Sequence, residues 1–495
     1  MEPSDPLVFR SRRARASLTS LADRDVLVID LLDGVSFAAL RTGRASESTW
    51  TGKTPEDPDS SVHLVLQGGV LVGSVRLHRA LYRIRPTQDP SDAPDEVVVE
   101  HVDESRFPAC AVEQRHEIAS AGHAASSISP NGQVAATTAT QIDVLVVYTP
   151  QARVAAGGQA AIEALIDLAV LESNTIYANS QASLELRLVH RAEVAHTESG
   201  NFTTELMRLQ SPTDGFLDTV HALRNTYGAD VVSLIVNQSS SCGVGYVMTN
   251  ATSSFQGYAF NVVARSCATG YYSFAHELGH NFGCAHDRAT GGTGLFPYSH
   301  GYHNPAQTWR TVMAYPPGVR IPFFSNPTVQ YQGQPTGVVS TAPLGCDNAK
   351  TMSLSAPVIA AFRGTVATSA SEYGLGKPTS MGVRPRLSST GSTSVASNSL
   401  TLRLTSAIPS SLGFVHVAQQ SANAPFQGGT LYAAAPVVAW KGFRAAIDGS
   451  ASVPVPLSAP MIGQTRYYQA FFRDVLHPDG TRVGMSNGVQ AICAP

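Results

Sequence analysis

The chain of 495 residues has little charge for its length, and neither sign dominates. Asp, Glu, Lys and Arg make up 14% of the residues, and the formal net charge is -3. No basic cluster with interleaved aromatic residues occurs, so the sequence offers no positive field for nucleic acid or anionic lipid. It also lacks any run of about 18 apolar residues, and no membrane span is therefore predicted.

A recognisable leader is also missing from the N-terminus. Residues 1–30 contain Arg10, Arg12, Arg13 and Arg15, but the apolar region that a signal peptide requires does not follow them. The low charge and the abundance of Ser, Thr, Ala and Gly are nevertheless typical of exported proteins. We therefore expect a secreted protein. Three explanations for the missing signal stay open: it was removed, the true start lies upstream, or export uses another route.

The most informative stretch is HELGHNFGCAH, which begins at His276 and fits H-E-x-x-H-x-x-G-x-x-H at every fixed position. On an α-helix His276 and His280 lie about one turn apart on one face, so both imidazoles can reach one ion. Gly283 permits a tight turn that returns His286 as a third ligand. Three neutral imidazoles leave one coordination position open for water, which indicates a catalytic zinc site. Glu277 is not needed as a ligand and can act on that water as general base.

A single histidine is most often an ordinary surface or core residue. The five fixed positions together favour a metal site over ordinary surface or core histidines. The sequence therefore predicts one catalytic Zn2+ ion. A calcium ion is compatible with the sequence but is not readable from it.

Downstream residues complete the pattern of a known family. The segment TVMAYP at 311–316 fits a methionine turn, in which Met313 packs beneath the three imidazoles as an apolar floor. With the zinc motif, this segment makes the chain resemble a metzincin metallopeptidase. Asp287, directly after the third histidine, resembles the reprolysins and is expected to anchor nearby backbone. Tyr315 resembles the tyrosine of astacins and serralysins. That resemblance implies stabilisation of the tetrahedral intermediate, with a purely structural tyrosine as the alternative.

Two further segments narrow the resemblance. Residues 273–281 and the sequence FSNP at 324–327 are similar to secreted, reprolysin-like bacterial peptidases, including the peptidyl-Asp metalloendopeptidases. The cleavage preference of that group is not carried over, because no residue in the sequence identifies the specificity pocket.

The resemblance and the composition together predict a multidomain protein. Its α+β metzincin catalytic domain, a mixed sheet with a zinc-binding active-site helix, is expected between a β-rich N-terminal prodomain and a C-terminal β-sandwich. An Ala-, Ser-, Thr- and Gly-rich stretch before the catalytic domain predicts a protease-accessible linker with the processing region. The predicted boundaries are 1–119 for the prodomain, 120–140 for the linker, 141–364 for the catalytic domain, 365–395 for a connector and 396–495 for the sandwich.

Periodicity places the main elements of the catalytic domain. A β-branched strand is predicted at 142–149, followed by a long helix at 155–179 and a shorter helix at 214–226. Residues 258–265 are expected to form the edge strand over the cleft, which in this family binds substrate backbone as an added strand. An amphipathic helix at 349–363 is expected to close the domain.

Cysteine is scarce and never occurs as C-x-x-C, which argues against a structural metal knuckle. Sparse cysteines in an exported enzyme favour a few disulfides. Four fall inside the predicted catalytic domain, which permits three connectivities; the preferred pairs are Cys242 with Cys267 and Cys284 with Cys346. The six positions are Cys110, Cys242, Cys267, Cys284, Cys346 and Cys493.

Cys110 lies alone in the predicted prodomain. Matrixins and reprolysins keep the zymogen inactive with such a cysteine, whose thiolate takes the water position on zinc. The resemblance therefore implies an inhibitory switch, although the local sequence FPAC lacks the matrixin consensus. A disulfide from Cys110 to Cys493, or an incidental buried thiol, remains the alternative.

The sequence as a whole predicts a secreted zinc-dependent metalloendopeptidase. Its expected partner is a protein or peptide substrate bound in extended form, and the chain is expected to be a monomer whose C-terminal domain binds an unknown surface ligand. Two other functions stay open. One is a non-catalytic adhesion protein with a relic metzincin fold, against which the intact Glu277 argues. The other is a zinc amidohydrolase acting on small substrates, against which the prodomain argues.

Overall fold

The computed structural model divides into two compact units, Met1–Gly364 and Thr365–Pro495. Most of the predicted linker at 120–140 lies outside the residues that the structure describes. Those residues are 5–16, 21–22, 24–32, 34–43, 46, 48–88, 92–93, 95–110, 114–115, 128–129, 139–364, 370–395 and 397–494.

The first unit begins with an antiparallel sheet of eight strands in the order β1-β8-β7-β6-β5-β4-β3-β2. Alternating apolar residues place one face of this sheet on its own core, in which Trp50 is fully buried. The β5–β6 hairpin turns at two glycines, Gly68 and Gly69, both with positive φ. The strands are β1 Val8–Arg15, β2 Val26–Asp30, β3 Ser36–Arg41, β4 Thr49–Thr54, β5 Asp57–Gln67, β6 Val70–Leu77, β7 Ala80–Pro86 and β8 Glu96–Val102.

A second, mixed sheet of six strands lies at the centre of the unit, in the order β11-β10-β12-β14-β13-β9. Four strands pair in parallel, and β13 runs antiparallel to β14. The strands are β9 Gln114–Arg115, β10 Thr140–Tyr148, β11 Leu184–Glu193, β12 Val231–Val236, β13 Gly243–Val247 and β14 Phe260–Ala264.

The prediction of an edge strand at 258–265 is wrong. β14 is buried along its whole length and lies between β12 and β13. Its nearly continuous apolar sequence is that of an interior strand, covered on both faces. The outer strand is β13, and only the two-residue strand β9 pairs with its far side, in parallel, among the described residues.

Helices cover the faces of the central sheet. The long helix predicted at 155–179 is broken at Gly157 and Gly158, which take φ of +101° and +119°. The helix predicted at 214–226 begins later, and the sequence analysis missed α3. The helices are α1 Pro150–Ala156, α2 Gln159–Asn179, α3 Phe202–Gln210, α4 Thr219–Tyr227, α5 Arg265–Ala268, α6 Ser273–Asn281 and α7 Asn348–Ile359.

Short strand pairs shape the loops between α6 and α7. β15 pairs with β16, β17 with β18 and β19 with β20. These strands are β15 Ala285–Asp287, β16 His300–Gly301, β17 Trp309–Arg310, β18 Val319–Arg320, β19 Gln330–Tyr331 and β20 Gln334–Pro335.

The N-terminal sheet packs directly on the long helix α2. One buried apolar cluster joins β5 and β6 to the helix, and a polar contact lies beside it. The Ser74 hydroxyl donates to the buried Glu172 carboxylate, which also accepts the Gly270 N–H at 2.9 Å. This contact binds the N-terminal sheet to the loop that precedes α6. The apolar cluster consists of Val65, Val72, Ala164 and Leu168.

The second unit contains two sheets that share one apolar core. The five-stranded sheet has the order β21-β28-β27-β24-β25, and the three-stranded sheet has the order β22-β23-β26. Their strands are β21 Ser371–Tyr373, β22 Arg386–Thr390, β23 Thr401–Thr405, β24 Leu412–Phe426, β25 Gly429–Arg444, β26 Ala451–Pro454, β27 Thr465–Arg473 and β28 Val483–Ile492.

Within the described ranges no single helix is both long enough and apolar enough to span a membrane. Only α1 and α2 taken together have that length and composition, and the chain bends sharply between them.

Candidate active site

Helix α6 carries the first half of the histidine motif and is buried along its whole length. Its last residue, Asn281, holds it against the sheet. The Asn281 side-chain amide donates to the carbonyls of Tyr246 in β13 and Phe260 in β14, at 3.0 and 3.1 Å. These bonds fix the helix beside the outer strand of the sheet.

The three motif histidines converge on one point. His276, His280 and His286 each offer a ring nitrogen within 4.8 Å of the others, and the Nε2 atoms of His276 and His286 lie 3.3 Å apart. His276 Nδ1 lies 2.8 Å from the Val312 carbonyl, and His280 Nδ1 lies 2.9 Å from the Cys284 carbonyl. A carbonyl can only accept, so these Nδ1 atoms carry the protons, and the Nε2 lone pairs face the shared point.

The turn after α6 brings the third imidazole back. Gly283 has φ +93°, and a Cβ there would lie 2.7 Å from the Leu295 Cβ, so any side chain would be both strained and obstructed. His286 follows in β15, which pairs with β16. The helix and this short strand thereby present imidazoles from two directions.

The donor set fits a zinc ion. Burial lowers the pKa of His276 well below its ordinary value, and the positive charges of His280 and Arg320 lower it further. The imidazole is therefore neutral at physiological pH, as a metal ligand must be. Three imidazole nitrogens facing one point are the donor set that a catalytic zinc site uses.

Glu277 is a residue of α6, and its fully buried side chain lies against β13. A Cβ at Gly243 would stand 2.5 Å from Glu277 Oε1, and a Cβ at Gly245 would stand 3.0 Å from the Glu277 carbonyl oxygen. The strand can approach the carboxylate only because both positions are glycine. This glycine pair was not predicted from the sequence, although glycines inside a strand signal the close approach of another group.

The remaining motif residues surround the histidines. Met313 is fully buried, and its sulfur would lie 2.6 Å from a Cβ added at Gly279 of α6. Asp287 accepts backbone N–H groups from Ala289 and Thr290 at 3.0 Å and from Tyr315 at 3.1 Å. The Tyr315 ring lies 4.2 Å from the His286 ring.

Cys110 enters this site from the N-terminal part of the chain. Its sulfur, a ring nitrogen of His276 and a carboxylate oxygen of Glu277 all lie within 4.8 Å of one another. Burial raises the pKa of the Cys110 thiol well above its ordinary value, and the charge of Glu277 raises it further. The thiol is therefore protonated and lies beside the Glu277 carboxylate.

The backbone around Cys110 follows the outer side of β13. The Ala109 carbonyl accepts from Ser241 Oγ at 2.7 Å and from Cys242 N at 3.3 Å. Further along, β9 pairs with Tyr246 and Val247. Ala109 thus contacts the residues that lead into β13, and β9 pairs with the end of β13.

One of the two preferred disulfides is present and the other is not. Cys242 and Cys267 are bonded, whereas Cys284 and Cys346 are both free thiols. The Cys284 sulfur is buried and faces the Asn348 carbonyl at 3.9 Å, and the Cys346 sulfur lies 3.5 Å from the Leu344 carbonyl. The preference for a Cys284–Cys346 bridge was wrong, because each sulfur faces a different backbone group.

Comparisons with known proteins agree with this geometry. A reprolysin-type family model described as Metallo-peptidase family M12 matches residues 138–325. A peptidyl-Asp metalloendopeptidase of Xanthomonas campestris is 40% identical over 73% of this chain and 87% of its own length. A protein of the same name from Stenotrophomonas maltophilia is 39% identical over 63% of this chain and 73% of its own. Among solved structures, a chaperone-substrate complex covers 46% of this chain and 36% of its own at 22% identity, with a TM-score of 0.36, too low to support an argument.

Proposed function

The chain belongs to the reprolysin-like metallopeptidases of family M12 and is a metalloendopeptidase, and from this premise we propose a secreted, zinc-dependent enzyme in which Glu277 is the general base. The observation that carries the proposal is the convergence of three imidazoles beside a buried carboxylate. His276, His280 and His286 would hold the ion.

The roles of the side chains follow from their positions. Zinc, when bound, would polarise the scissile carbonyl and lower the pKa of a water ligand towards about 7. Glu277, held between α6 and the glycines of β13, would take the proton from the attacking water and deliver it to the leaving nitrogen. Tyr315, beside the His286 ring, would donate its hydroxyl to the developing oxyanion. Met313 would form the apolar floor, and Asp287 would hold the loop that carries Tyr315.

We further propose that a substrate binds in extended form along β13. This strand has β14 on one side, and among the described residues its other side pairs only with β9, while Ala109 contacts the residues that lead into it. An added strand would use the backbone groups that β9 now covers. The relatives' name, peptidyl-Asp metalloendopeptidase, supports a substrate in which an aspartate flanks the scissile bond.

The N-terminal region is proposed to act as an inhibitory prodomain, with Cys110 as its switch. The Cys110 sulfur occupies the space between His276 and Glu277 that an attacking water would need. Its thiol also lies beside the carboxylate that would activate the water. Removal of this segment would release both groups. Processing in the predicted linker 120–140 would separate it from the catalytic domain.

The C-terminal unit is proposed to be a β-sandwich that binds a surface ligand outside the catalytic reaction. Its two sheets enclose one core, and its long hairpin β24–β25 exposes Trp440, of which 58% is accessible. The whole protein is proposed to be a secreted monomer, in keeping with its low charge and its disulfide.

A digestion experiment tests the proposed chemistry. The purified chain is incubated with a denatured protein mixture, beside the Glu277→Ala variant and a chelator-treated sample, and new termini are read by mass spectrometry. Loss of cleavage in both controls, with recovery after Zn2+ is returned to the chelated sample, is the expected result. Persistence of cleavage in Glu277→Ala contradicts the role of the base. Absence of cleavage even after removal of the residues before Gln141 contradicts the zinc peptidase as proposed.

A further inference from the structure

Two arginines lie side by side next to the histidine cluster. β17 and β18 pair in parallel, and Arg310 is the register partner of Arg320. Both are buried, with 4% and 2% of their surface exposed. Like charges opposite each other in a strand pair repel, and a buried charge is costly without an anionic partner. Burial and the charge of Arg320 lower the pKa of Arg310 to about 10, which reflects this repulsion.

Arg310 is fully engaged by its surroundings. Its Nε donates to the Ala314 carbonyl at 3.0 Å, and its Nη2 donates to the Tyr271 hydroxyl at 3.1 Å. Its Nη1 donates to the Gly318 carbonyl. All three nitrogens have acceptors, so Arg310 is a structural residue that holds its loop.

Arg320 is only partly engaged. Its Nη1 donates to the Tyr271 carbonyl at 3.0 Å, and its guanidinium lies over the Tyr271 ring at 4.4 Å. Its Nε is buried and meets no hydrogen-bond acceptor in the described part of the chain. Nor does any described carboxylate form an ion pair with Arg320; Glu104, whose charge acts on Arg310, is paired with Arg76 at 2.7 Å. A buried guanidinium with an unused donor is prepared for an anion.

Arg320 lies close to the proposed reaction centre. Its charge acts on Cys110 and on His276, so Arg320 lies near both residues. The Phe107 ring stacks on Tyr271 at 4.1 Å, and Cys110, three residues later, reaches His276. One short segment of the N-terminal region therefore covers both the tyrosine that supports Arg320 and the histidine site. Its departure would open both to the same substrate.

We propose that Arg320 binds the acidic side chain of the substrate residue that flanks the scissile bond, an inference that rests on the proposed peptidase function. The planar guanidinium would pair with the carboxylate through the donor that is unused in this structure. Tyr271 is a positioning residue, since it holds Arg320 in place without reaching the substrate, and Arg310 acts through its bond to the Tyr271 hydroxyl. An uncharged amide of the same shape would leave the buried charge uncompensated, so Asp would be selected over Asn.

The test compares two peptides that differ only in Asp or Asn next to the scissile bond. The ratio of their kcat/KM values is measured for the wild-type enzyme and for Arg320→Gln, each expressed as the full chain and then processed in the linker 120–140. We expect the wild type to prefer the Asp peptide by about 10- to 100-fold and the variant to bring this ratio close to one. If Arg320→Gln does not fold, Arg320→Lys replaces it. Loss of the planar, multi-donor group should then lower the ratio by roughly tenfold.

The outcomes separate this inference from the proposed function. Cleavage by the wild type with an acidic preference that Arg320→Gln, or the Lys variant, retains unchanged overturns the role of Arg320 and leaves the peptidase intact. Cleavage by the wild type without an acidic preference overturns the inference in the same way. A wild type that cleaves neither peptide, while bound zinc is detected in it, contradicts the proposed function itself.

Discussion

The candidate site has a histidine side and an arginine side, whose buried polar groups differ in charge and in hydrogen bonding. On the histidine side, His276 and His280 have their outer ring nitrogens held by carbonyls, and burial keeps His276 neutral. On the arginine side, Arg310 and Arg320 carry like charges in direct register, and no described carboxylate pairs with Arg320. One side presents lone pairs and suits a cation, whereas the other presents a positive charge and suits an anion.

This difference shows how a buried site can be prepared for two ligands at once. Each side carries a cost that the fold alone does not offset: converging lone pairs repel, and a buried guanidinium loses hydration. Binding of the proposed zinc ion and of the proposed substrate carboxylate would remove both costs. The segment around Cys110 covers both sides together, so the same event would make both available.

The largest effect should come from the base on the histidine side. Glu277→Gln is expected to lower kcat by about 1,000-fold or more, because proton transfer is lost while the shape of the carboxylate is kept. Zinc content, measured by atomic absorption, should stay near one ion per chain, since Glu277 is not a ligand. A parallel loss of zinc would mean that the carboxylate belongs to the ligand set.

A smaller effect should follow from a change in the strand that supports Glu277. Gly243→Ala places a Cβ 2.5 Å from the Glu277 carboxylate and is expected to lower kcat by roughly 10- to 100-fold, by displacing the base. Gly257→Ala is the matched control, because a Cβ there meets nothing within 4 Å. Equal activity of the two variants on a peptide substrate would argue that β13 does not position the base.

The proposed inhibitory role of the segment around Cys110 can be tested by replacing that cysteine. Cys110→Ala in the unprocessed chain is expected to raise peptidase activity by about tenfold, because the sulfur would no longer fill the space beside His276 and Glu277 that an attacking water needs. Cys493→Ala serves as the control, since Cys493 is also a free thiol. An equal rise in both variants, measured before any processing occurs, would favour a disulfide between the two cysteines in place of a switch.

Another buried ionisable group, Glu172, lies away from both sides, where the N-terminal sheet meets α2. Burial raises the pKa of Glu172 from 4.5 to about 7. The folded chain therefore retains this proton between about pH 4.5 and 7 while the unfolded chain releases it, so stability falls as pH rises through that window. The contribution is about 3 kcal/mol. Calorimetry of the wild type and Glu172→Gln at several pH values should show a smaller pH dependence in the variant; identical profiles would contradict the assignment.

The smallest expected effects are changes in folding stability, which should differ between variants of the two arginines. Arg310→Gln is expected to cost about 2 kcal/mol, because the Ala314 and Gly318 carbonyls and the Tyr271 hydroxyl lose their donor. Arg320→Gln should change stability by less than about 1 kcal/mol, since it also removes an uncompensated buried charge. Calorimetry of both variants checks this order, and a larger loss for Arg320→Gln would indicate a structural residue.

Local patterns in the sequence were informative where geometry is local. The spacing of His276 and His280 determines their common face on any α-helix, and the break at Gly157 and Gly158 carried a signal that the predicted helix overlooked. The edge strand was misplaced at β14 because apolar alternation does not report strand order. The Cys284–Cys346 bridge was misjudged for a similar reason, since spacing alone cannot orient two sulfur atoms.

The sequence by itself determined the family and predicted the three histidines and the glutamate of the candidate site, because these depend on residues a few positions apart within a helix and a turn. Only the tertiary structure placed Cys110 against His276, Gly243 against Glu277, and Arg320 beside Arg310. The first of these pairs spans more than 160 residues. Such contacts depend on strand order, register and packing between separate elements, and no local periodicity encodes them.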